Sequence, residues 1–183
     1  MAANLPTPSD IPAIAALDEA VDGWVRDHRS PIADRVFYGL SSAADHSLLW
    51  NAIVALRGTL AGDPMLVLRG AAVLGAESAI TNGALKALFG RARPEVDDEP
   101  LPMGMRRPVT SSFPSGHATA AFTAAALLAQ GSRRPGLWYA LAATVAASRV
   151  YTRMHHASDV VAGAALGVVF GAVARRVLPL RRR

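Results

Sequence analysis

Polar residues divide this chain into a mixed N-terminal quarter followed by five apolar stretches. Within residues 11–45, Ile14, Leu17, Val21, Trp24 and Val25 recur at helical spacing, with Asp18, Glu19, Asp22 and Asp27 between them. That is the pattern of an amphipathic helix. Ser30-Pro31 breaks it and starts a second helix, because proline suits a first helical turn. Phe37, Tyr38 and Leu40 fall on the apolar side of that second helix. Pro6, Pro8 and Pro12 disfavour regular structure in residues 1–10. Residues 11–45 read either as two surface helices or as an interfacial pair on a bilayer, with Trp24, Phe37 and Tyr38 at headgroup level.

The apolar stretches predict five spanning helices over 46–61, 64–89, 115–131, 136–152 and 157–177. The first is short for a bilayer that needs about 20 residues. The second carries Arg69, Glu77, Asn82 and Lys86; charges inside a span face the bundle interior or snorkel from its ends. Glu77, mid-span, is expected to hydrogen-bond a neighbouring helix. In the last helix Gly163, Gly167 and Gly171 recur every four residues. They form a flat strip for close packing within the chain or, as the lesser alternative, for a homo-oligomer contact. The fold class expected is therefore all-α: an integral membrane helical bundle of about five spans. Its N-terminal interfacial region is residues 1–45 and its membrane domain residues 46–183.

Composition agrees with this organisation. The 183 residues are 51% hydrophobic but only 6% aromatic, so Ala, Val and Leu supply most of the apolar mass. With no cysteine, disulfides and thiol chemistry are excluded. The formal charge is +5, yet the arginines lie between apolar segments and form no basic face with interleaved aromatics, so nucleic acid is not an expected partner. No secretory signal pattern opens the sequence, since the first basic residue is Arg26. Arg57, Arg69, Arg133, Arg134, Arg175, Arg176 and Arg181 to Arg183 gather at one set of helix ends, opposed by Asp63. At the other set, Arg91, Arg93, Arg106 and Arg107 balance Glu95, Asp97, Asp98 and Glu99. Cytoplasmic ends are enriched in Lys and Arg, which places the 90–113 loop on the extracytoplasmic side.

Three separated blocks carry chemistry. They are Lys86 with Arg93-Pro94; Pro114-Ser115-Gly116-His117; and Ser148-Arg149 with His155 and Asp159. Lys86 is the single lysine among 19 basic residues. Alternating spans bring all three blocks to one membrane face. There Lys86, Arg93 and Arg149 form a cationic cluster suited to phosphate oxygens, and Ser115-Gly116 opens a helix whose N–H groups can face an anion. His155 and Asp159 lie one helical turn apart, so Asp159 can hold one ring nitrogen as N–H and leave the other free to attack phosphorus. His117 is then placed to protonate the leaving oxygen and to activate water. No carboxylate cluster stands ready for magnesium, so a metal-independent reaction without cofactor is expected. His28, His46 and His156, and solvated Arg106, Arg107 and Arg153, are read as lying outside this chemistry. Arg91 has no assigned part, and Tyr151 and Trp138 are read as interfacial anchors.

These blocks resemble the three-part signature of the type 2 phosphatidic acid phosphatase superfamily, which includes membrane lipid phosphatases and soluble vanadium haloperoxidases. The resemblance implies a helical bundle with His155 as nucleophile, His117 as acid and base, and Asp159 orienting His155. It further implies phosphate binding by Lys86, Arg93, Ser115, Gly116 and Arg149. The expected function is a multi-pass lipid phosphatase of a bacterial inner membrane, with its active site on the extracytoplasmic side. Candidate substrates are polyprenyl phosphates and diphosphates, polyprenyl-phosphosugar phosphates, phosphatidylglycerol phosphate and phosphatidate. The alternatives are a lipid phosphotransferase, a haloperoxidase-like enzyme, and a non-catalytic lipid-phosphate-binding protein.

Overall fold

The computed structural model describes residues 4–95, 102 and 107–178, with His46 described by its backbone alone. Asp97, Asp98, Glu99, Arg106 and Arg181 to Arg183 lie outside the described residues. Among the described residues all regular structure is helical. The helices are α1 (Pro12–Asp27), α2 (Pro31–Ala43), α3 (Leu48–Leu60), α4 (Pro64–Ser78), α5 (Gly116–Leu128), α6 (Pro135–Tyr151) and α7 (Ala157–Val177). Single 3-10 turns occupy Pro8–Asp10 and Asp45–Ser47, and α4 runs on through a π-helical stretch at Ala79–Leu85. The five expected apolar helices correspond to α3–α7, and the break at Ser30-Pro31 separates α1 from α2.

Local chemistry sets these boundaries. Proline opens α1, α2, α4 and α6, where its missing N–H would have no helical partner anyway. Ser30 caps α2 by accepting from Ala33 N at 3.2 Å, and Asp63 caps α4 by accepting from Leu66 N at 3.1 Å. Gly62 and Gly131 follow α3 and α5 at φ 59° and 67°, a left-handed geometry that glycine adopts without strain.

Helix α5 is the axis of the bundle. Every residue in it except His117 and Phe122 is buried, so it has no polar face to show. Helices α3, α4, α6 and α7 pack around it, with Trp50, Val54, Leu74 and Val145 meeting its alanines and Leu128 in one core. The α7 glycines lie directly on α5. A Cβ at Gly163 would strike the Ser115 carbonyl, and one at Gly167 the Thr119 carbonyl. The strip expected to serve either packing or an oligomer contact is thus covered by α5. It offers no face to a second copy, and the homo-oligomer alternative is withdrawn.

Helices α3, α4 and α7 turn apolar residues outward. Leu56, Leu60, Leu68, Val161, Val169 and Val173 are exposed on α3, α4 and α7. Among the described helices, α7 at 21 residues is the one long and apolar enough to cross a bilayer by itself. α5, with 13 residues, extends about 20 Å at 1.5 Å per residue, and its neighbours surround it.

The N-terminal helices are not detached from the bundle: α2 packs on α6, and α1 contacts α6 and α7. Tyr38 is buried, and Phe37 lies with its ring centroid 4.5 Å from that of Tyr151. Of the three aromatics considered for headgroup level, Trp24 alone is largely exposed, stacked on His28 at 4.4 Å. Tyr151 is a packing residue rather than an interfacial anchor, its hydroxyl donating to Asp34 at 2.8 Å. Trp138 donates to Ser132 Oγ at 3.1 Å beneath the Arg57 guanidinium. Glu77 is 1% exposed, and neither carboxylate oxygen has a hydrogen-bond partner among the described residues. The interhelical bond expected of it is not formed.

Gly167→Val would force α7 away from α5. It should destabilise the protein by about 3 kcal/mol or more, as overpacked cores do, whereas Val169→Leu on the exposed face should have little effect. Thermal unfolding in detergent compares them, and equal melting temperatures would contradict the packing described.

Candidate active site

The site lies where α4 ends, α5 begins, α6 ends and α7 begins. Each of the three blocks therefore sits at a helix terminus, where backbone groups lack intrahelical partners. The π-helical stretch carries α4 to Lys86, its C-cap residue; single π turns of this kind are common at functional positions. The chain then passes through Arg91 and Arg93 alongside residues 111–113. Ser112 N donates to Arg91 O at 3.0 Å, and Ser112 Oγ donates to Ala92 O at 2.9 Å. Phe89 meets Phe113 edge-on at 4.9 Å. These contacts tie the first block to the second. The second is tied to the third by Ser115 N, which donates to Asp159 O at 3.1 Å. Gly116 leaves room for the Asn82 side chain, which a Cβ would strike.

His155 is 2% exposed, in the short turn between α6 and α7. Its backbone N–H and that of Met154 both donate to Arg149 O at 3.1 Å. Its Nδ1 lies 2.7 Å from Ser112 O. A carbonyl only accepts, so Nδ1 carries the hydrogen and Nε2 holds a lone pair. That Nε2 lies 3.4 Å from Arg93 Nη1. Asp159 was expected to hold the ring directly. Instead its Oδ2 lies 3.7 Å from Nδ1 and accepts from His156 N at 2.9 Å, so the Ser112 carbonyl holds the proton and Asp159 supplies negative charge beside it.

Arg149, Arg93 and Lys86 all bear electrostatically on His155. Burial is the largest influence and, reinforced by these cations against the opposing effect of Asp159, pushes the His155 ring down to about 3 from its ordinary 6.5. The ring is therefore neutral at physiological pH, with its Nε2 lone pair facing the Arg93 guanidinium. Arg149 is 2% exposed; it donates to Ser41 Oγ and has Nη1 4.0 Å from Asp45 Oδ1. Its Nε has no hydrogen-bond partner among the described residues. Arg93 Nη1 donates to Met154 O at 2.6 Å, and its Nε to Pro108 O at 3.1 Å. Burial lowers it to about 10, leaving it charged. His117 Nε2 lies 2.8 Å from Asp45 Oδ1, and Arg149 and Lys86 are also among its electrostatic neighbours.

Several residues at this site had no part in the sequence reading. Asp45 and Ser41 come from the N-terminal region and reach His117 and Arg149. Ser112 meets the His155 ring through its backbone carbonyl, which no side-chain motif reveals. Arg91, given no role, is 6% exposed and bridges Asp159 Oδ1 at 2.5 Å and Asp18 Oδ2 at 2.7 Å. Its position two residues before Arg93 was the one available signal. Arg153, read as solvated, is 7% exposed. Arg107 donates to Pro94 O at 2.6 Å and to Arg153 O at 2.8 Å. His156 Nδ1 lies 3.1 Å from Asp22 Oδ2.

Known proteins place this arrangement. The decaprenylphosphoryl-5-phosphoribose phosphatase of Mycobacterium tuberculosis is 33% identical over 150 residues, covering 79% of this chain and 80% of that protein. The lipid A 1-phosphatase of Porphyromonas gingivalis is 41% identical over 93 residues, 47% of this chain and 18% of that protein. The crystal structure of a transmembrane PAP2 type phosphatidylglycerolphosphate phosphatase from Bacillus subtilis superposes with a TM-score of 0.73 at 25% identity, covering 90% of this chain and 86% of that one. Aquifex aeolicus LpxE superposes at 0.70 with 22% identity, over 87% and 95% of the two chains. The class so defined is a membrane lipid phosphatase. Residues 66–183 match the PAP2 superfamily, and the chain belongs to it.

The state of His155 has a measurable consequence. Because its folded pKa lies below the ordinary 6.5, acidification from about 6.5 towards 3 protonates the unfolded ring first and costs stability over that window. NMR of ring-labelled histidine in detergent, with the His155 signal identified by its loss in His155→Ala, should show a neutral ring at pH 5. A protonation midpoint near 6.5 would contradict the buried geometry.

Proposed function

We propose that this protein removes the terminal phosphate of a polyprenyl-phosphosugar lipid through a phosphohistidine formed on His155. The observation that carries this is the neutral His155 ring, its Nδ1–H fixed on Ser112 O and its Nε2 lone pair beside Arg93. Nε2 attacks phosphorus as the ester P–O bond breaks. The charge arising on the ring is stabilised by Asp159, and that on the equatorial oxygens by Lys86, Arg93 and Arg149. Gly116 offers the first N–H group of α5, and Ser115 its hydroxyl, to the same oxygens. His117, acting as an imidazolium whose Nε2–H rests on Asp45, gives its Nδ1 proton to the leaving oxygen and is left as the neutral ring. It then takes one from the water that breaks the P–N bond. Three cations meet the charge demand, so the reaction as proposed needs no metal.

The substrate class is supported by the mycobacterial relative, named for a decaprenylphosphoryl phosphoribose and aligned over 79% of this chain. Clefts of about 290 and 380 Å³ adjoin Arg93, room for a sugar beside the phosphate. The apolar faces of α3, α4 and α7 suit a long isoprenoid tail. We place the site on the extracytoplasmic side, with α3–α7 as five spans. The opposite helix ends carry Arg57, Arg69, Arg133, Arg134, Arg175 and Arg176, the bias of cytoplasmic ends. A C-terminal activity reporter should work inside the cell; activity outside would overturn this orientation.

Phosphate release by the purified protein in EDTA should be fastest on a polyprenyl-phosphosugar phosphate, ahead of polyprenyl diphosphate and phosphatidate. Preference for a glycerophospholipid would displace the proposed substrate. His155→Ala should lose at least about four orders of magnitude in kcat, as nucleophile removal does, and appreciable residual turnover would refute its role. His117→Ala should slow poor leaving groups most; equal losses for good and poor leaving groups would count against the acid assignment.

A further inference from the structure

Helix α1 lies outside the stretch matched to the family, residues 66–183, yet it delivers two buried carboxylates, Asp18 and Asp22, to the N-terminus of α7. They are four residues apart and so share one helical face. Asp18 makes the closer connection. Its Oδ1 accepts from Ser158 N at 2.9 Å, and its Oδ2 accepts from Ser158 Oγ at 2.6 Å and from Arg91 Nη2 at 2.7 Å. Arg91 Nη1 donates onward to Asp159 Oδ1 at 2.5 Å and to Ser158 Oγ at 2.7 Å, and its Nε donates to Ser9 Oγ at 2.9 Å. Asp159 is thus held on both oxygens, by Arg91 on one and by His156 N on the other.

Orientation alone would need only Arg91. A lone buried guanidinium on Asp159 would also cancel the charge that Asp159 offers to His155. Asp18 changes that balance: two carboxylates around one guanidinium leave one net negative charge. In the low dielectric of a buried site this charge acts strongly on a ring turning positive at a short distance. We infer that Asp18 and Arg91 are positioning residues, a clamp from the N-terminal helix that fixes Asp159 while preserving its negative charge for the phosphorylated His155. This rests on the proposed phosphohistidine chemistry.

The charge account makes a prediction that packing alone does not. Asp18→Asn leaves Arg91 and Asp159 as a neutral pair. It should lower kcat about tenfold to a hundredfold, the range of one charge-assisted hydrogen bond, with KM changed by less than about twofold. Asp18→Glu should recover much of the loss. The double variant Asp18→Asn with Arg91→Gln restores one net negative charge at Asp159, so its kcat should exceed that of Asp18→Asn alone. A double variant at or below the single one would overturn the inference, as would an Asp18→Asn enzyme with wild-type kcat. Should Asp18→Asn alone not fold, Asp18→Glu and the double variant decide: a kcat loss in the double variant that Asp18→Glu does not share supports the clamp, and a double variant with wild-type kcat contradicts it.

A second series separates this inference from the proposed activity. Orthovanadate mimics the five-coordinate phosphoryl group on a nucleophile, and inorganic phosphate mimics the ground state. Calorimetric titration of the same variants should show vanadate binding weakened by Asp18→Asn and partly restored in the double variant, while phosphate binding stays within about twofold. If the wild type released phosphate from none of the lipids, the proposed activity would fall and the vanadate series would still decide the clamp. Equal weakening of vanadate and phosphate would overturn it.

Discussion

The close approach of α7 to α5 is the constraint on which the rest of the structure depends. Glycine at positions 163 and 167 lets the α7 backbone lie against the carbonyls of Ser115 and Thr119. That spacing allows Ser115 N to reach the Asp159 carbonyl, so the start of α5 and the start of α7 are joined by a backbone bond. His117 and Asp159 are carried on those two helix ends, and His155 sits in the turn just before the second. A side chain at either glycine would separate the blocks before any question of catalysis arose.

Around that junction the protein buries or half-buries several charges, and they fall into two groups. Asp18, Arg91 and Asp159 satisfy one another through direct ion pairs. Lys86, Arg93 and Arg149 instead surround His155 with positive charge, and Arg149 Nε has no hydrogen-bond partner among the described residues. Burying a charge without a full partner is costly, and a bound phosphate would supply what the second group lacks. Burial, reinforced by the same positive field, keeps the His155 ring unprotonated, so in the proposed reaction one arrangement would both attract the anion and leave the ring neutral.

Much of this was legible in the sequence because it rests on local rules. The helix boundaries followed from prolines at first turns, a Ser-Pro break and unbroken apolar stretches, and the three blocks stood out by residue type and spacing. What escaped reading depends on partners far apart in the chain. Arg91 has no evident use until Asp18, 73 positions earlier, is seen beside it, and Asp45 resembles any acidic residue at a helix end until it meets His117. The glycine strip at 163, 167 and 171 could be read as a close contact, but not as to which helix it met. Ser112 acts through a carbonyl, which every residue possesses.

The central claim is that His155 takes the phosphoryl group covalently. Rapid acid-free quenching of the enzyme with substrate labelled in its terminal phosphate tests this most directly. The account predicts label on the protein that survives base, is released by acid, maps to His155 by fragmentation and is absent in His155→Ala. Label that maps to His117, or turnover with no labelled protein at any quench time in wild type or in a His117→Ala variant built to retain the intermediate, would contradict it.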